Sequence, residues 1–244
     1  MSNFRRPKHL TTRRMQETRP NPPKEHSTSP RPAREIRWNC PVAAKCGGCQ
    51  LTRLSYAEQL QWKQQRVAEL LDGICEVRPI LGMDDPFHYR NKVHAVLAVD
   101  KAGRPISGVY AMGTHRVVPV RHCLIEDRRA DRIIQTIVAM LPAYKLRIYN
   151  EYTHRGFLRH ILIRTGHVTG QIMVVLVATS LEFPGKKAFV QELIQRHPEI
   201  TTVVLNCNQR ETSMVLGTKE ITLYGEGYME DCLLYTSPSP RDRT

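Results

Sequence analysis

The chain has 244 residues and a formal net charge of +13, with 36 lysine and arginine residues against 23 aspartate and glutamate residues. Hydrophobic residues make up 41% of it, enough for the core of one or two domains. No apolar run reaches the roughly 18 residues of a membrane span. Residues 1–37 lack the apolar stretch of a secretory signal peptide, so a cytoplasmic protein without a membrane partner is expected. The positive charge favours a polyanion partner, and a sequence pI near 9.7 makes nucleic acid the first candidate.

The N-terminal third begins with a segment that is poor in large apolar residues. Residues 1–37 are rich in arginine, proline, serine and threonine, so a disordered basic tail is expected. Ser55 and Glu58 have the spacing of a capping box, and the pattern that follows predicts a helix ending at Gly73. A short strand is predicted at 77–81.

The central region alternates between strand and helix patterns. Residues 91–99 and 106–110 predict a β-hairpin. A helix is predicted at 126–141, with an apolar stripe formed by Ile133, Ile134, Ile137, Val138 and Leu141. Another helix is predicted at 185–196. Further strands are predicted at 146–152, 159–165, 171–179, 202–206, 213–216 and 221–224. Many strands with short connections predict an α+β fold with a mainly antiparallel sheet and a few helices.

The seven cysteines are odd in number and cluster early, which favours metal binding or catalysis over a disulfide framework. Cys40, Cys46 and Cys49 form a C-x5-C-x2-C pattern, and the two glycines before Cys49 permit a sharp turn. Cys123 is the best candidate for a fourth ligand, whereas Cys75 and Cys207 are expected to be small core residues. Four cysteines suit a [4Fe–4S] cluster or structural zinc, and cluster, zinc and no metal all remain open on the spacing alone.

Several segments together resemble the bacterial 23S rRNA uracil-5-methyltransferases. The cysteine pattern leads into Gln50-Leu51 and the helix after Tyr56, as in that family. Phe87-His-Tyr-Arg-Asn-Lys92 is similar to its Tyr-Arg-Asn-Lys segment, and the residues up to Cys123 resemble the segment of its fourth cluster ligand. Further similar segments are Arg155–His160 with Ile163-Arg164, Gly170–Val177 and Gly225–Tyr228, so the resemblance covers about 40–231.

The resemblance implies a [4Fe–4S] cluster held by Cys40, Cys46, Cys49 and Cys123. It also implies 23S rRNA as the partner and S-adenosylmethionine as the methyl donor of the parent enzyme. In that family a cysteine thiolate adds to C6 of the uracil, C5 attacks the methyl group, and a base removes the C5 proton. The nucleophile, the base and the cofactor loop follow the region that ends at Asp231. The resemblance therefore implies no catalytic and no S-adenosylmethionine residue here, a missing Rossmann-like methyltransferase domain, and a fragment that is inactive alone.

The candidate RNA contacts are Arg90, Lys92 and Arg159, since Arg90 and Lys92 would share one face of a strand. The expected organisation is a basic tail at 1–37, a cluster segment with its helix at 38–80, and a central α+β RNA-binding domain at 81–231. Residues 232–244 closely resemble the conceptual translation of a sequencing adapter and are expected to be foreign to the natural protein. A monomer is expected. The alternative is a complete, non-catalytic iron–sulfur or zinc RNA-binding protein.

Overall fold

The computed structural model describes residues 38–211 and 214–231. The predictions of a disordered tail at 1–37 and a foreign tail at 232–244 lie outside these residues, as do Thr212 and Ser213 of the predicted strand 213–216. The helices are α1 (Tyr56–Leu70), α2 (Arg128–Met140) and α3 (Lys186–Arg196). The strands are β1 (Lys92–Val99), β2 (Pro105–Tyr110), β3 (Val117–Pro119), β4 (Leu158–Thr165), β5 (Ile172–Ala178), β6 (Ile200–Cys207) and β7 (Lys219–Tyr224).

Helix α1 begins at the capping box that the sequence predicted. The backbone N–H of Glu58 donates to Ser55 Oγ at 3.4 Å, and the backbone N–H of Ser55 donates to Glu58 Oε2 at 2.6 Å. These two bonds satisfy N–H groups that the first helical turn leaves without partners. Only Tyr56 and Gln59 of this helix are buried, so most of its surface faces solvent.

The seven strands form one sheet in the order β3-β2-β1-β4-β5-β6-β7. Strands β5 and β6 run parallel and are connected through α3, while the other neighbouring pairs are antiparallel. The sheet is therefore mixed, and the parallel β5–β6 pair is the part of it that the prediction of a mainly antiparallel sheet did not include. The strand–helix–strand order around α3 is typical of two parallel strands joined by a crossover helix. This order in the sequence could have predicted the parallel pair.

Helices α2 and α3 pack on one face of the sheet and form the core. The apolar stripe predicted for α2 is buried there, with Ile133 and Ile137 fully enclosed. On β1 the alternation places Val93, Ala95 and Leu97 in this core. The opposite face of the sheet, called the outer face here, therefore carries His94 and Val96 of β1 and, by cross-strand register, His160 and Leu162 of β4.

Three strand predictions differ from the structure. Residues 77–81 and 214–216 form no strand, and 146–152 contributes only isolated bridges at Ile148 and Asn150. Strand β3 was not predicted because it has three residues and no readable alternation. Within the described part of the chain, none of the helices is long and apolar enough to cross a membrane.

Candidate metal centre and nucleic-acid interface

Three cysteines that are close in the sequence and a distant fourth line one cavity. Cys40, Cys46 and Cys49 lie on the turns before α1, and Cys123 comes from the segment between β3 and α2. The turn is tight, since the backbone N–H groups of Lys45 and Cys46 both donate to the carbonyl of Val42. Apolar side chains complete the wall, namely Trp38, Val42, Ala43, Val109, Val120, Leu124 and Ile125. The cavity therefore gathers four soft sulfur donors in an apolar setting.

The thiols of this cavity influence one another. Burial raises the pKa of Cys49, and Cys46 raises it further, whereas the Arg90 guanidinium acts in the opposite direction. Burial raises the pKa of Cys123 to about 11, with a further contribution from Glu126. A bound cation would reverse these shifts, because a coordinating thiol is deprotonated. As the side chains stand, no group of three or more His, Cys, Asp or Glu residues in the described ranges is arranged to hold a metal ion.

The segment before β1 holds the Cys123 segment in place. The backbone N–H groups of His88 and Arg90 donate to the carbonyls of Leu124 and Ile125, at 2.9 and 2.8 Å. The imidazole Nδ1 of His88 lies 2.8 Å from the carbonyl oxygen of Glu126. Arg90 therefore lines the cysteine cavity. It forms an isolated bridge with Glu126 and does not lie within a strand, where it was predicted to share a face with Lys92.

Two acidic residues that were not predicted from the sequence, Glu126 and Asp131, lie next to Cys123. Asp131 Oδ2 accepts a hydrogen bond from the backbone N–H of Cys123 at 2.9 Å. Burial and then the neighbouring Asp131 raise the pKa of Glu126 to about 7. Glu126 is three residues from a candidate ligand, and Asp131 lies within the helix predicted at 126–141. That proximity was the only signal for either residue.

The predicted RNA contacts lie in different settings. Lys92 is exposed on β1 and stands directly opposite the exposed Arg164 of β4. Two like charges at opposed positions destabilise a strand pair, so the pairing suits an anionic partner. Arg164 was quoted as part of the family resemblance but was not chosen as an RNA contact.

Arg159 is buried, with 4% of its surface exposed. Its guanidinium donates to both carboxylate oxygens of Glu151 at 3.0 and 3.1 Å and to the carbonyls of Asn208 and Arg210. It also lies over the ring of Tyr149, 4.5 Å from the centroid. These contacts tie β4 to two neighbouring loops.

A second and larger cavity, of about 920 Å³, opens on the outer face of the sheet. His94 and His160 lie in its wall, with ring centroids 4.9 Å apart in an edge-to-face arrangement. Burial lowers the pKa of His160 to about 3, and His94 and Arg159 add to the shift. Burial and then Lys92 lower the pKa of His94 as well. Both rings are therefore neutral at physiological pH.

Comparison with known proteins gives relatives that are named as RNA methyltransferases. An uncharacterized RNA methyltransferase of Bacillus cereus (strain ATCC 14579) is 37% identical over 197 residues, which are 79% of this chain and 43% of that protein. One of Clostridium tetani is 37% identical over 203 residues, 82% of this chain and 44% of that protein. The chain thus spans less than half the length of these curated relatives. No protein-family model matches it.

A solved structure shows the fold. The crystal structure of Pyrococcus abyssi tRNA (uracil-54, C5)-methyltransferase in complex with S-adenosyl-L-homocysteine aligns with a TM-score of 0.58 and 21% identity, over 80% of this chain and 44% of that one. The prediction that the methyltransferase fold is missing is therefore wrong, because most of the chain shares the fold of a methyltransferase. In sequence the chain is similar to bacterial RNA methyltransferases, and in fold it is similar to a tRNA uracil-5-methyltransferase.

Proposed function

We propose that the chain is part of an RNA uracil-5-methyltransferase that uses S-adenosylmethionine to make 5-methyluridine in 23S rRNA. Relatives named as RNA methyltransferases support the reaction, and the fold of a tRNA uracil-5-methyltransferase with a bound S-adenosyl-L-homocysteine supports the base and the methyl donor. The choice of 23S rRNA follows the family that the cysteine and Tyr-Arg-Asn-Lys segments resemble. The alternative of a complete, non-catalytic RNA-binding protein is not favoured by these relatives.

Within that enzyme, we propose that Cys40, Cys46, Cys49 and Cys123 hold a [4Fe–4S] cluster. The observation that carries this proposal is that all four cysteines line one largely apolar cavity, although Cys123 lies more than seventy residues after Cys49 in the chain. Such a cluster would supply a covalent link between the turns before α1 and the segment before α2. Arg90, on the same wall, would offset the negative charge of the thiolates.

Two further features fit the cluster. The indole Nε1 of Trp38 is buried and has no hydrogen-bond partner among the described residues, and Trp38 lines the cysteine cavity. A buried N–H donor in that position suits an acceptor such as a cluster sulfide or a thiolate. At Gly48 a Cβ atom would stand 3.4 Å from Cys46 Sγ, and the Gly48 N–H already donates to that sulfur at 3.4 Å.

The remaining sequence-based proposals concern RNA and activity. Lys92 is exposed and can bind phosphate. Arg90 is a cation beside the cysteine cavity and stays a proposed RNA contact. Arg159 stays a proposed contact, although its buried guanidinium favours holding the loops beside the RNA over touching phosphate itself. We also keep the proposals that the catalytic cysteine and base follow Asp231, that the chain alone does not methylate, that it is monomeric and that it is cytoplasmic.

Anaerobic purification of the chain tests the cluster. A brown protein that carries about four iron and four sulfide per chain is the expected result. A colourless protein with one zinc per chain, or with no metal after reconstitution with iron and sulfide, would overturn the cluster. Transfer of labelled methyl groups from S-adenosylmethionine to 23S rRNA tests the activity, and any transfer by this chain would refute its proposed inactivity.

A further inference from the structure

The cavity on the outer face lies apart from the cysteines and has the properties of a ligand site. Its volume of about 920 Å³ is in the upper range of small-molecule pockets. Strands β1, β2 and β4 form its wall, together with the loops that carry Tyr152 and Glu211. The role of the cysteine cavity does not explain it, although Gly48 and Val109 line both cavities.

Three buried polar atoms in this wall have no hydrogen-bond partner among the described residues. They are His94 Nε2, His160 Nδ1 and Arg159 Nε. Only 7% of His160 and 4% of Arg159 is exposed, so both side chains are almost fully enclosed. A buried polar group normally has a partner, because leaving one unpaired destabilises the fold. Because the three residues that carry these atoms also line the cavity, a ligand held there is a candidate partner for them.

The chemistry of the wall selects a neutral, planar partner. A neutral imidazole carries one donor and one acceptor nitrogen, so the histidine pair can bond a group that presents both kinds of atom. Glu211 also lines the cavity and disfavours an anion beside it, whereas the charge of Glu151 is paired with that of Arg159. Tyr110 and Tyr152 provide aromatic surface beside the histidines, and 80% of Tyr152 is exposed. Unstacked bases in RNA are bound in this way, by stacking on aromatic rings and hydrogen bonds to the base edges.

Cations for the phosphates lie next to the cavity on the same face. Lys92 precedes His94 by two residues on β1, a separation of roughly 7 Å along the strand. Arg164 follows His160 on β4 with the same facing and stands opposite Lys92. A nucleotide places a neutral base beside an anionic phosphate, and this face places neutral rings beside two cations.

We infer that the outer-face cavity binds an unpaired nucleobase of the RNA, with His94 and His160 bonding the base edge while Lys92 and Arg164 hold the adjacent phosphates. This inference rests on the proposed RNA-binding function and adds the site at which one base is held. The inference concerns the binding of an unpaired base and assigns no methyl transfer to this cavity.

Binding of two short RNAs to the whole chain tests the inference. One is a single-stranded oligouridine, and the other has the same length but carries abasic riboses at its central positions. The chain should bind the first more tightly by roughly 5- to 150-fold, the range for loss of one stacked base. His160→Leu should abolish this preference without changing the affinity for the abasic RNA. His167→Leu, an exposed change on the β4–β5 turn, is the matched control and should behave as the unaltered chain.

A second measurement needs no substitution. The ring nitrogens of His94 and His160 should shift in ¹⁵N spectra when oligouridine is added, and not when abasic RNA is added. Equal affinity for the two RNAs, or unmoved ring nitrogens on saturation with oligouridine, would overturn the nucleobase site while RNA binding stands. Failure to bind either RNA would refute the proposed RNA-binding function and this inference together.

Discussion

The carboxylate of Asp131 on α2 accepts a hydrogen bond from the backbone N–H of Cys123 at 2.9 Å. Asp131 is buried and Cys123 is partly buried, and Asp131 also lies beside Glu126, whose pKa it raises. The core helix α2 is thereby connected directly to the segment that carries the fourth cysteine. Stability of the helix and position of the sulfur are therefore coupled.

Replacement of that carboxylate should weaken both properties. Asp131→Ala removes a hydrogen bond to a charged acceptor, so we expect the free energy of unfolding to fall by about 1.5–3 kcal/mol. Iron content after anaerobic purification should fall as well, because the Cys123 segment loses an anchor. Urea unfolding and iron analysis measure the two effects. The control Asp72→Ala, exposed after α1, should stay within about 0.5 kcal/mol of the unaltered chain. Unchanged iron content in Asp131→Ala would contradict the coupling.

Cysteine substitutions should distinguish the cysteines that hold the cluster from those that do not. Cys46→Ser should prevent stable folding and iron retention, because a metal group absent from the unfolded chain stabilises only the folded state. Cys75 is exposed and lies outside the cysteine cavity, so Cys75→Ser should change neither. Thermal melting and iron analysis of the two variants give the result. A Cys46→Ser protein with normal melting and normal iron would remove the cluster from this site.

Salt dependence should reveal the phosphate contacts. For single-stranded RNA the log–log slope of affinity against salt changes by about 0.7 for each phosphate contact. Lys92→Ala and Arg164→Ala should each make the slope shallower by about that amount in fluorescence-anisotropy titrations. Lys187→Ala is the control, since this exposed lysine lies on α3, across the sheet from Lys92. A slope that neither Lys92→Ala nor Arg164→Ala alters would place the RNA elsewhere.

The buried histidines should make stability depend on pH. The pKa of His160 falls from an ordinary 6.5 to about 3 on folding. Between these values the unfolded chain binds a proton that the folded chain does not. The contribution of the neutral His160 ring to the free energy of unfolding is therefore fully present above pH 6.5. Below that pH the free energy of unfolding falls by up to about 1.4 kcal/mol per pH unit.

Urea unfolding at pH 7.5 and at pH 5.5 measures this effect. His160→Leu should lose less stability between the two pH values than the unaltered chain does, whereas His167→Gln should lose as much. An equal loss in His160→Leu and the unaltered chain would show that the ring is not held neutral by the fold.

The comparison of sequence and structure shows where local patterns suffice. The Ser55–Glu58 capping box and the apolar stripe of α2 were predicted correctly, because each depends on contacts within a few residues. The parallel pairing of β5 with β6 was missed, because it depends on which strands meet after α3 has crossed the sheet. Arg159 was taken for a surface cation, since nothing in its neighbours shows that Glu151, Asn208 and Arg210 converge on it.

The sequence by itself determined the helices and most of the strands, the basic character of the chain and the set of sulfur donors. Composition, periodicity and spacing carry these properties. Only the tertiary structure determined which residues lie next to one another. Backbone bonds from the Arg90 segment bring Cys123 to the other three cysteines, and strand register brings His94 to His160 with Lys92 opposite Arg164. Such relationships depend on long-range pairing and burial, and the energy of a buried unpaired nitrogen or of two facing cations exists only after the strands have met.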